Sequence, residues 1–463
     1  MLSLRETLEK ASETSVKFTA PLGLREDVVR KISEAKNEPS WMRERRLQAL
    51  KLFNTTSLPT WGPSLERLDL AKIAFFVQPN TTESRSWDDV PQDIRDTFEK
   101  LGIPEAERAA LGGVGAQFDS DMVYHNLKQE LADRGVIFEN MDVALIKHES
   151  LVRDYFMTRC VPPHDHPFAM LHAAVWSGGT FIYVPKGVTV EIPLQAYFRM
   201  NAKGGGQFEH TLIIADEGSD VHYIEGCSAP KYDEAALHAG CVEIFVKKGA
   251  RVRYSSVENW SKNTFNLNTK RAIVEQDGTI EWLNGNLGSG TTMLYPMSIL
   301  IGDRAKSDYL GIAFAGDDQV QDTGHKIAIV GKDCAATVRS KSVSAGSGSS
   351  VYRGLVSIPA AGERASVRVQ CDALLLDDGS VSDTIPVMDI SAQDTIIAHE
   401  ATVGRLSDEH MRYLAARGLS PQAAVRAMVA GFFDPVVQAL PLEYAIELVR
   451  LIEIELERHE SYG

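Results

Sequence analysis

DEGSDVHYI (residues 216–224) joins a glycine turn to a short run of β-forming residues, and this pattern decides the fold. Similar stretches follow at KKGARVRY (247–254) and EQDGTIEWL (275–283). Their glycines, Gly218, Gly249 and Gly278, recur at a spacing of about 30 residues. A turn and a strand that recur at a nearly fixed spacing are typical of repeat proteins, in which each repeat contacts only its neighbours.

Further along the chain the turns come about twice as often, roughly every 15 residues. Gly348, Gly362, Gly379 and Asp394 each precede a short β-type run. One coil of two strands and two turns then takes about 28 to 31 residues, which predicts a mainly β fold, a parallel β-helix or β-solenoid. An ordinary Greek-key sandwich is the alternative that the pattern leaves open.

The repeat places two reactive side chains on neighbouring coils. Aligning VRVQC (367–371) with TIIAH (395–399) puts Cys371 beside His399 on one face, with Glu400 next to them. Adjacent strands lie about 4.8 Å apart, so these groups are expected to meet. Imidazole favours the thiolate, the nucleophilic and metal-binding form of cysteine, and imidazole and carboxylate are themselves iron ligands.

Composition and charge exclude several classes of function. The chain has 463 residues, 44% hydrophobic and 24% charged, and a formal net charge of −15. A nucleic-acid-binding surface needs a basic stripe, which is missing, so nucleic acid is not an expected partner. The N-terminus lacks an apolar signal region, and no window of 18 uninterrupted apolar residues occurs, so we expect a cytoplasmic protein without a membrane partner.

Five cysteines stand at wide, irregular spacings without a C-x-x-C pair. An odd number in a large cytosolic chain indicates reduced thiols rather than a disulfide framework. Most buried thiols are inert, and a cluster held by four closely spaced cysteines of this chain is disfavoured. Cys227 lies at a strand end before a turn, where a donor protein could reach it or where it could fill space between coils.

The chain divides into three predicted regions. Residues 1–150 are expected to be helical and mixed, residues 151–400 to form the β-helix, and residues 401–463 to form a helical domain. The last helix carries an apolar stripe that includes Leu448, Leu451 and Ile452. This tail is either a cap on the solenoid or a surface for a partner protein.

One further motif suggests a metal site, and two catalytic or nucleotide-binding motifs are absent. PPHDHP (162–167) places His164 and His166 on one side of an extended segment, as two metal ligands would need, although the flanking prolines also suit an exposed turn. No G-x-x-x-x-G-K-[ST] motif occurs, so any nucleotide energy must come from another subunit. A G-x-S-x-G nucleophile motif is absent as well.

Several long segments closely resemble the SufB family of iron–sulfur cluster assembly scaffolds, and the resemblance runs nearly end to end. The related SufD subunit shares the fold but is not expected to keep both cysteine contexts, which favours SufB. The matching segments are GVGAQFDS (113–120), AVWSGGTFIYVPKGV (174–188), IPLQAYFR (192–199), YRGL (352–355), CDALL (371–375) and HEAT (399–402).

The resemblance implies a right-handed parallel β-helix between helical terminal regions, assembled with a SufC-type ATPase, which the tail would dock. It also implies a non-enzymatic scaffold that accepts persulfide sulfur from a cysteine desulfurase system, builds a transient iron–sulfur cluster and passes it on. SufD or a second copy of the chain would face Cys371. Whether a flavin is bound stays undetermined.

The resemblance also assigns residues. Cys227 matches the cysteine that accepts sulfur and Cys371 the one used in building the cluster, with His399 and Glu400 beside it. Glu258 stands where many relatives have glutamine, and Ala398 where some have a carboxylate. The cysteine-rich N-terminal motif of some members is missing. The residues that match the interior sulfur route are Arg199, Asn201, Glu258, Trp260 and Lys270.

Two competing functions remain at this point. β-Helix enzymes that act on polysaccharide gather carboxylates in an open groove and are usually exported, whereas the best constellation here contains a thiol. A purely structural SufD-like partner is the other alternative, and it would tolerate the loss of Cys371.

Overall fold

The fold is taken from a computed structural model that describes residues 15–92, 94–95, 111–406, 408–438 and 442–460. Two long sheets dominate it, one of ten strands and one of fourteen. Successive coils pair in parallel, and the chain alternates between the two sheets for about eight turns. The predicted parallel β-solenoid is therefore confirmed, and the antiparallel Greek-key alternative is wrong.

The ten-stranded sheet carries both residues of the candidate site. In spatial order its strands are β26 (Ile396–Arg405), β24 (Ser366–Leu375), β22 (Ala335–Ser344), β19 (Lys306–Ala315), β16 (Thr279–Asn286), β13 (Arg251–Asn259), β10 (Asp220–Ser228), β7 (Leu194–Arg199), β3 (Gly113–Phe118) and β4 (Asp121–Leu127). Strand β26 is the outermost at the C-terminal end, and β3 and β4, from the N-terminal region, complete the other end.

The fourteen-stranded sheet closes the other side of each coil with two short strands per coil in its middle turns. Its strands are β5 (Ile137–Asn140), β6 (Thr180–Val184), β8 (Gly206–Gln207), β9 (His210–Ala215), β11 (Ala236–His238), β12 (Cys241–Val246), β14 (Thr264–Asn266), β15 (Thr269–Val274), β17 (Thr291–Leu294), β18 (Met297–Leu300), β20 (Val320–Thr323), β21 (Lys326–Ile329), β23 (Ser349–Ile358) and β25 (Val381–Ile390). The last of these, β25, pairs with β23.

The coil length agrees with the sequence-based period. Asp220 pairs with Arg251 and Thr279 pairs with Lys306, so one coil takes roughly 30 residues. Left-handed residues make the tight turns between the sheets: Gly218 and Gly249 have φ of 67° and 66°. In the next coil Asp277 takes this conformation, with φ of 57°, because aspartate tolerates the left-handed region better than most residues.

Side chains alternate between the interior of the solenoid and its outer faces. Position 223 and its partners in later coils form one interior column, of which the first three members are the aromatic residues Tyr223, Tyr254 and Trp282. Their rings lie 5.9 Å and 5.4 Å apart between centroids. The neighbouring residues Ile224 and Val257 point outward into a different apolar cluster. The interior is therefore filled by side chains and is not an open pore.

The N-terminal region packs against the outer face of the fourteen-stranded sheet. Helix α2 (Ser40–Asn54) lies against α6 (Pro167–Val175), and buried Arg46 donates to the carbonyls of Ala174 and Trp176. The remaining elements of this region are β1 (Val16–Thr19), β2 (Val77–Pro79), α1 (Glu26–Ala35), α3 (Gln129–Asp133), α4 (Met141–Lys147) and α5 (Glu149–Tyr155).

The C-terminal helices are α7 (Asp408–Ala416), α8 (Pro421–Val437) and α9 (Leu442–Glu460). Ser420 caps α8 by accepting from Ala423 N–H, with proline at the first helical position. The predicted stripe of α9 is buried against the outer face of the ten-stranded sheet. The helices therefore cover the flank of the solenoid, and the cap interpretation is wrong for its C-terminal end.

Within the described residues, every helix is too short or too polar to span a bilayer.

Candidate functional site

Cys371 and His399 meet at the C-terminal end of the solenoid. Cys371 Sγ lies 3.7 Å from His399 Nε2. The register differs from the predicted alignment, because His399 pairs with Val369 and Cys371 pairs with Ala401. The coil here is slightly longer than the separation of Cys371 and His399 along the chain, and a shift of two residues keeps both side chains on the interior face. The predicted contact is confirmed, but it is diagonal.

Glu400 does not join this pair. It follows His399 directly in β26, so its side chain points to the opposite face of the sheet. There it lies 3.6 Å from Arg368, and both side chains are exposed. The expectation that Glu400 lies beside Cys371 on one face is therefore wrong, since the odd offset reverses its direction.

Burial, not the imidazole, controls the ionisation of Cys371. Burial and the neighbouring Asp372 raise the pKa of Cys371 to about 12. Burial also lowers the pKa of His399, so at neutral pH the ring is uncharged and provides no cation for a thiolate. The predicted activation by His399 is wrong for the isolated chain. Tyr352 lies beside the pair, with its ring centroid 6.4 Å from that of His399.

The pair is incomplete as a metal site. In the described ranges three groups of His, Cys, Asp and Glu have potential ligand atoms within 4.8 Å of one another, and Cys371 with His399 belongs to none of them. A single chain thus offers two ligands at this point, a thiol and an imidazole. Further ligands must come from another molecule or from solvent.

Cys227 lies near the end of its strand, as predicted, but inside the solenoid and only 2% exposed. Of the two alternatives, filling space between coils fits the isolated chain and direct access by a donor protein does not. Burial raises the pKa of Cys227 well above its ordinary value, and the nearby Glu225 and Glu258 raise it further. Glu209, Glu225 and Cys227 form one of the compact groups of potential ligand atoms. The surroundings of this thiol are acidic.

Lys270, one of the predicted route residues, is neutralised by a buried carboxylate. Lys270 Nζ lies 2.5 Å from Glu258 Oε1, and both side chains are fully buried. Burial alone would raise the pKa of Glu258, but Lys270 lowers it, and Glu258 in turn keeps the pKa of Lys270 above its ordinary value. Glu258 and Lys270 therefore form a buried ion pair.

A second buried pair, which the sequence analysis missed, lies next to the first. His238 Nε2 is 2.6 Å from Glu209 Oε1, and His238 Nδ1 is 2.7 Å from Asn266 Oδ1. Because Asn266 Nδ2 donates to Glu258, its Oδ1 is the acceptor, so both ring nitrogens of His238 donate and the ring is a cation. Trp260 stacks against it, with ring centroids 4.3 Å apart.

Arg199 and Asn201 lie off this interior face. Arg199 is in register with Ser228, the residue after Cys227, and it donates to the hydroxyl of Ser228 at 3.1 Å. Burial lowers the pKa of Arg199 to about 10. The backbone N–H of Asn201 donates to Asp119 at 2.6 Å. Of the five predicted route residues, Glu258, Trp260 and Lys270 share the interior with Cys227.

One interior column leads from beside Cys227 to Cys371. Cys227 and Cys371 lie five strands apart in the ten-stranded sheet, so roughly 24 Å separates them along the axis. The column is rich in small and polar side chains, and Ser256 bonds Asn284 at 2.8 Å within it. Its members, in register from coil to coil, are Glu225, Ser256, Asn284, Gly311, Ser340 and Cys371.

Other interior polar groups that the sequence analysis missed lie nearer the C-terminal end. Ser298 Oγ lies 3.2 Å from His325 Nε2, and the rings of His325 and Tyr309 stack 4.4 Å apart. A cavity of about 10 Å³, room for about one water molecule, lies among His325, Tyr352 and His399. No local sequence signal identifies these groups, because their partners come from different coils.

The predicted histidine motif does not form a two-ligand metal site. His166 caps α6, accepting from Ala169 N–H at Nδ1, and its Nε2 lies 3.3 Å from Thr269 Oγ1. Both of its ring nitrogens are occupied. Within the described residues His164 and His166 belong to no group of three potential ligands.

A chain of buried polar side chains joins the N-terminal region to the solenoid. His172 Nε2 lies 3.0 Å from His210 Nδ1, and His210 Nε2 lies 3.2 Å from Glu243 Oε2. His172 Nδ1 donates to the carbonyl of Ala239, so His210 Nδ1 donates to His172. Burial raises the pKa of Glu243 to about 8 and lowers that of His210 to about 3. His210 is therefore uncharged at neutral pH, while Glu243 accepts from the backbone N–H groups of Met157 and Val161.

Comparison with known proteins identifies relatives over nearly the whole chain. Residues 198–432 match the family described as "SUF system FeS cluster assembly, SufBD core domain", and residues 28–196 match "SufBD protein N-terminal region". An iron–sulfur cluster assembly SufBD family protein of Staphylococcus aureus strain MRSA252 is 48% identical over 440 residues, covering 95% of this chain and 94% of the relative. A protein of the same description from Staphylococcus epidermidis has the same identity and coverage.

Proposed function

Since the chain belongs to the SufBD family of iron–sulfur cluster assembly proteins, we propose that it is the SufB-type scaffold on which a transient cluster is built. Sulfur arrives as persulfide from a cysteine desulfurase system, joins iron at Cys371 and leaves as a cluster. Because the chain belongs to this family, we prefer the scaffold function to the alternative of an enzyme that acts on polysaccharide. The presence of both Cys227 and Cys371 in one interior favours the SufB role over a purely structural SufD-like role.

The observation that carries this proposal is the contact between Cys371 and His399 at the end of the solenoid, beyond which the described residues form no further strand. A thiol and an imidazole are both ligands of iron, and they are held here on rigid strands. Two ligands from one chain hold a cluster more loosely than four thiolates do. A scaffold that must release its product requires such a site.

The last coil also has the surface expected of an interface. β25 and β26 are the outermost strands at this end, and they expose large apolar side chains. Exposed edge strands with apolar residues are prone to pair with another chain unless a partner covers them. A second β-helix subunit, SufD or another copy of this chain, fits this surface and would supply the missing ligands. The exposed side chains include Val381, Ile385, Val387, Met388, Ile390, Ile396 and Val403.

The interior column supports a route for sulfur. Cys227 takes up sulfur when its thiolate attacks the outer sulfur of the donor persulfide, the sulfur–sulfur bond breaks, and the donor cysteine leaves as a thiolate. Because the column contains no thiol between Cys227 and Cys371, sulfide must carry the sulfur along it: sulfide attacks the Cys227 persulfide and leaves as HSS⁻, and the Cys371 thiolate then takes the outer sulfur from HSS⁻ and releases sulfide again. Reduction of that sulfur to sulfide takes two electrons, which a reductant outside this chain must supply. The column of small and polar residues between Cys227 and Cys371 excludes bulk solvent and therefore protects the reactive sulfur.

Activation must accompany the arrival of a partner. Both thiols are protonated at neutral pH in the isolated chain, because burial raises their pKa values. A movement that admits a cation or a metal ion would lower these pKa values. ATP-driven pairing of two SufC-type ATPase subunits is the proposed cause of this movement, and the C-terminal helices are the proposed docking site.

The experiment that tests this function compares Cys371→Ala with the unaltered chain after anaerobic reconstitution with iron and sulfide. We expect Cys371→Ala to lose most of the cluster absorbance and cluster transfer. Cys334→Ala is the matched control, because Cys334 is also buried but donates to the Gly302 carbonyl at a turn. Undiminished cluster formation and transfer by Cys371→Ala would rule out the assignment.

A further inference from the structure

A cavity of about 460 Å³ lies outside the solenoid, between the N-terminal region and the fourteen-stranded sheet. Its walls come from residues 56–61, from residues 165–168 and from strands β15, β17, β18 and β21 with the segments beside them. This volume is within the range of small-molecule binding sites in proteins, about 300–1,000 Å³. It is separate from the contact between Cys371 and His399.

One wall of the cavity is apolar and aromatic. The rings of Trp61 and Tyr295 lie 5.9 Å apart between centroids, tilted by 41°. Trp61 is about half exposed, so it forms part of the rim, while Phe168 and Met293 are buried deeper in the wall. Flat apolar surfaces of this kind suit a planar ring.

Beside the aromatic wall lies a positive charge that is not ion-paired within the described residues. Arg271 pairs with Asp165 at 2.5 Å. Lys326 Nζ lies 5.0 Å from the Tyr295 ring centroid, and within the described part of the chain no carboxylate approaches it to ion-pair distance. Burial and the neighbouring Arg271 lower the pKa of Lys326. A bound anion would relieve this repulsion.

Polar groups without partners point to the same conclusion. Asn268 is 5% exposed, and neither its side-chain oxygen nor its nitrogen has a hydrogen-bond partner. Arg271 Nε is also buried without a partner. Buried polar atoms usually find a partner, because leaving one unsatisfied costs about 1–3 kcal/mol. Both residues line the cavity, so a ligand can satisfy them.

We propose that this cavity binds a mononucleotide, with its planar ring against Trp61 and Tyr295 and its phosphate among Lys326, Arg271 and Asn268. Phosphate oxygens accept from lysine, arginine and amide donors, and charge-assisted hydrogen bonds of this kind are strong. The ring provides the apolar contact that inorganic phosphate lacks. The site is independent of Cys371, so its ligand can be present whether or not a cluster is being built.

The test is equilibrium dialysis of the purified full chain with AMP, FMN and inorganic phosphate. We expect saturable one-site binding of at least one of the two nucleotides, and weaker binding of inorganic phosphate. Lys326→Met should weaken nucleotide binding at least about tenfold, while Lys326→Arg should largely retain it. Trp61→Leu should weaken binding of the nucleotide but not that of inorganic phosphate.

Lys306→Met is the matched control, since Lys306 is an exposed lysine at the start of a strand away from the cavity. Circular dichroism of each variant checks that it is folded. Absence of saturation by both nucleotides up to about millimolar concentration would overturn the proposal, as would unchanged binding by folded Lys326→Met. Cys371→Ala should bind the nucleotide normally, which separates this result from the fate of the proposed scaffold function.

Discussion

The surroundings of Cys227 and Cys371 differ in how completely one chain satisfies them. Near Cys227 the charges are paired inside the solenoid, Glu258 with Lys270 and Glu209 with the His238 cation. Near Cys371 one imidazole is in contact and the strands beyond it have no further neighbour in the described part of the chain. This difference in charge compensation and ligand number indicates that one chain can enclose a sulfur route, whereas cluster building requires ligands from a second subunit.

The largest effect is expected from breaking the closed region. Lys270→Met removes one partner of a fully buried pair and leaves Glu258 without its ion-pair partner, which should destabilise the chain by about 3–5 kcal/mol. Urea unfolding followed by circular dichroism measures the loss. Lys332→Met, in the exposed pair with Glu363, should change stability by about 0–1 kcal/mol. If both variants lost the same free energy of unfolding, the buried pair of Lys270 and Glu258 would not stabilise the interior more than an exposed pair does.

The open end should respond to a charge in its exposed apolar surface. Val387→Asp on β25 should weaken pairing with a companion β-helix subunit by about 2 kcal/mol or more, because it buries an unpaired carboxylate in the contact. Native mass spectrometry of the mixed subunits reads this out. Val330→Asp, at a turn with similar exposure, is the control and should leave pairing intact. If both variants pair as the unaltered chain does, the interface lies elsewhere.

A pH-dependent effect is expected at Glu243 and His210. Because folding raises the pKa of Glu243 to about 8, the folded chain keeps a proton there that the unfolded chain has lost, so stability falls as pH rises toward 8. Between pH 6.5 and pH 8 one retained proton corresponds to about 2 kcal/mol. Glu243→Gln should flatten this slope in urea unfolding at several pH values. An unchanged slope would show that Glu243 is ionised in the folded chain.

The smallest effect concerns the C-terminal helices. Since α8 and α9 cover the apolar flank of the solenoid, deleting everything after Leu406 would expose that flank as well as remove a docking surface. A sharper test is Tyr413→Asp on α7, which should weaken binding of the SufC-type ATPase about tenfold, or about 1.4 kcal/mol. Ile146→Asp is the control, because both side chains are 57% exposed. If the ATPase copurified equally well with both variants, its contact surface would lie away from Tyr413.

The sequence predicted the architecture well because the solenoid repeats locally. Turn residues and short strands recur in every coil, so the period was readable without any long-range information. The contact between Cys371 and His399 survived a register error, since a shift of two residues preserves the face of a strand. The prediction for Glu400 was wrong because neighbouring residues in a strand point in opposite directions, so Glu400 cannot share a face with His399.

The electrostatics of the site could not be predicted in this way. The ionisation of Cys371 depends on its depth in the fold, which the sequence does not state. The pairing of His238 with Glu209, and of Lys270 with Glu258, joins residues from different coils, and no motif connects them. The apolar stripe of α9 was identified correctly, but whether it packs on its own chain or on a partner is a question of tertiary structure.

Sulfur transfer between Cys227 and Cys371 requires an unobstructed interior column, and a substitution at Gly311 tests this most directly. A side chain at this position would meet the Tyr309 hydroxyl, so Gly311→Val fills the column between Asn284 and Ser340. Ala313→Val, in the neighbouring interior column, is the control for added volume. The measurement is mass spectrometry of trapped persulfides after loading by a cysteine desulfurase system. The account predicts that Cys371 becomes persulfidated in the unaltered chain and the control, whereas the sulfur stays on Cys227 in Gly311→Val. Equal loading of Cys371 in Gly311→Val and in the unaltered chain would contradict it.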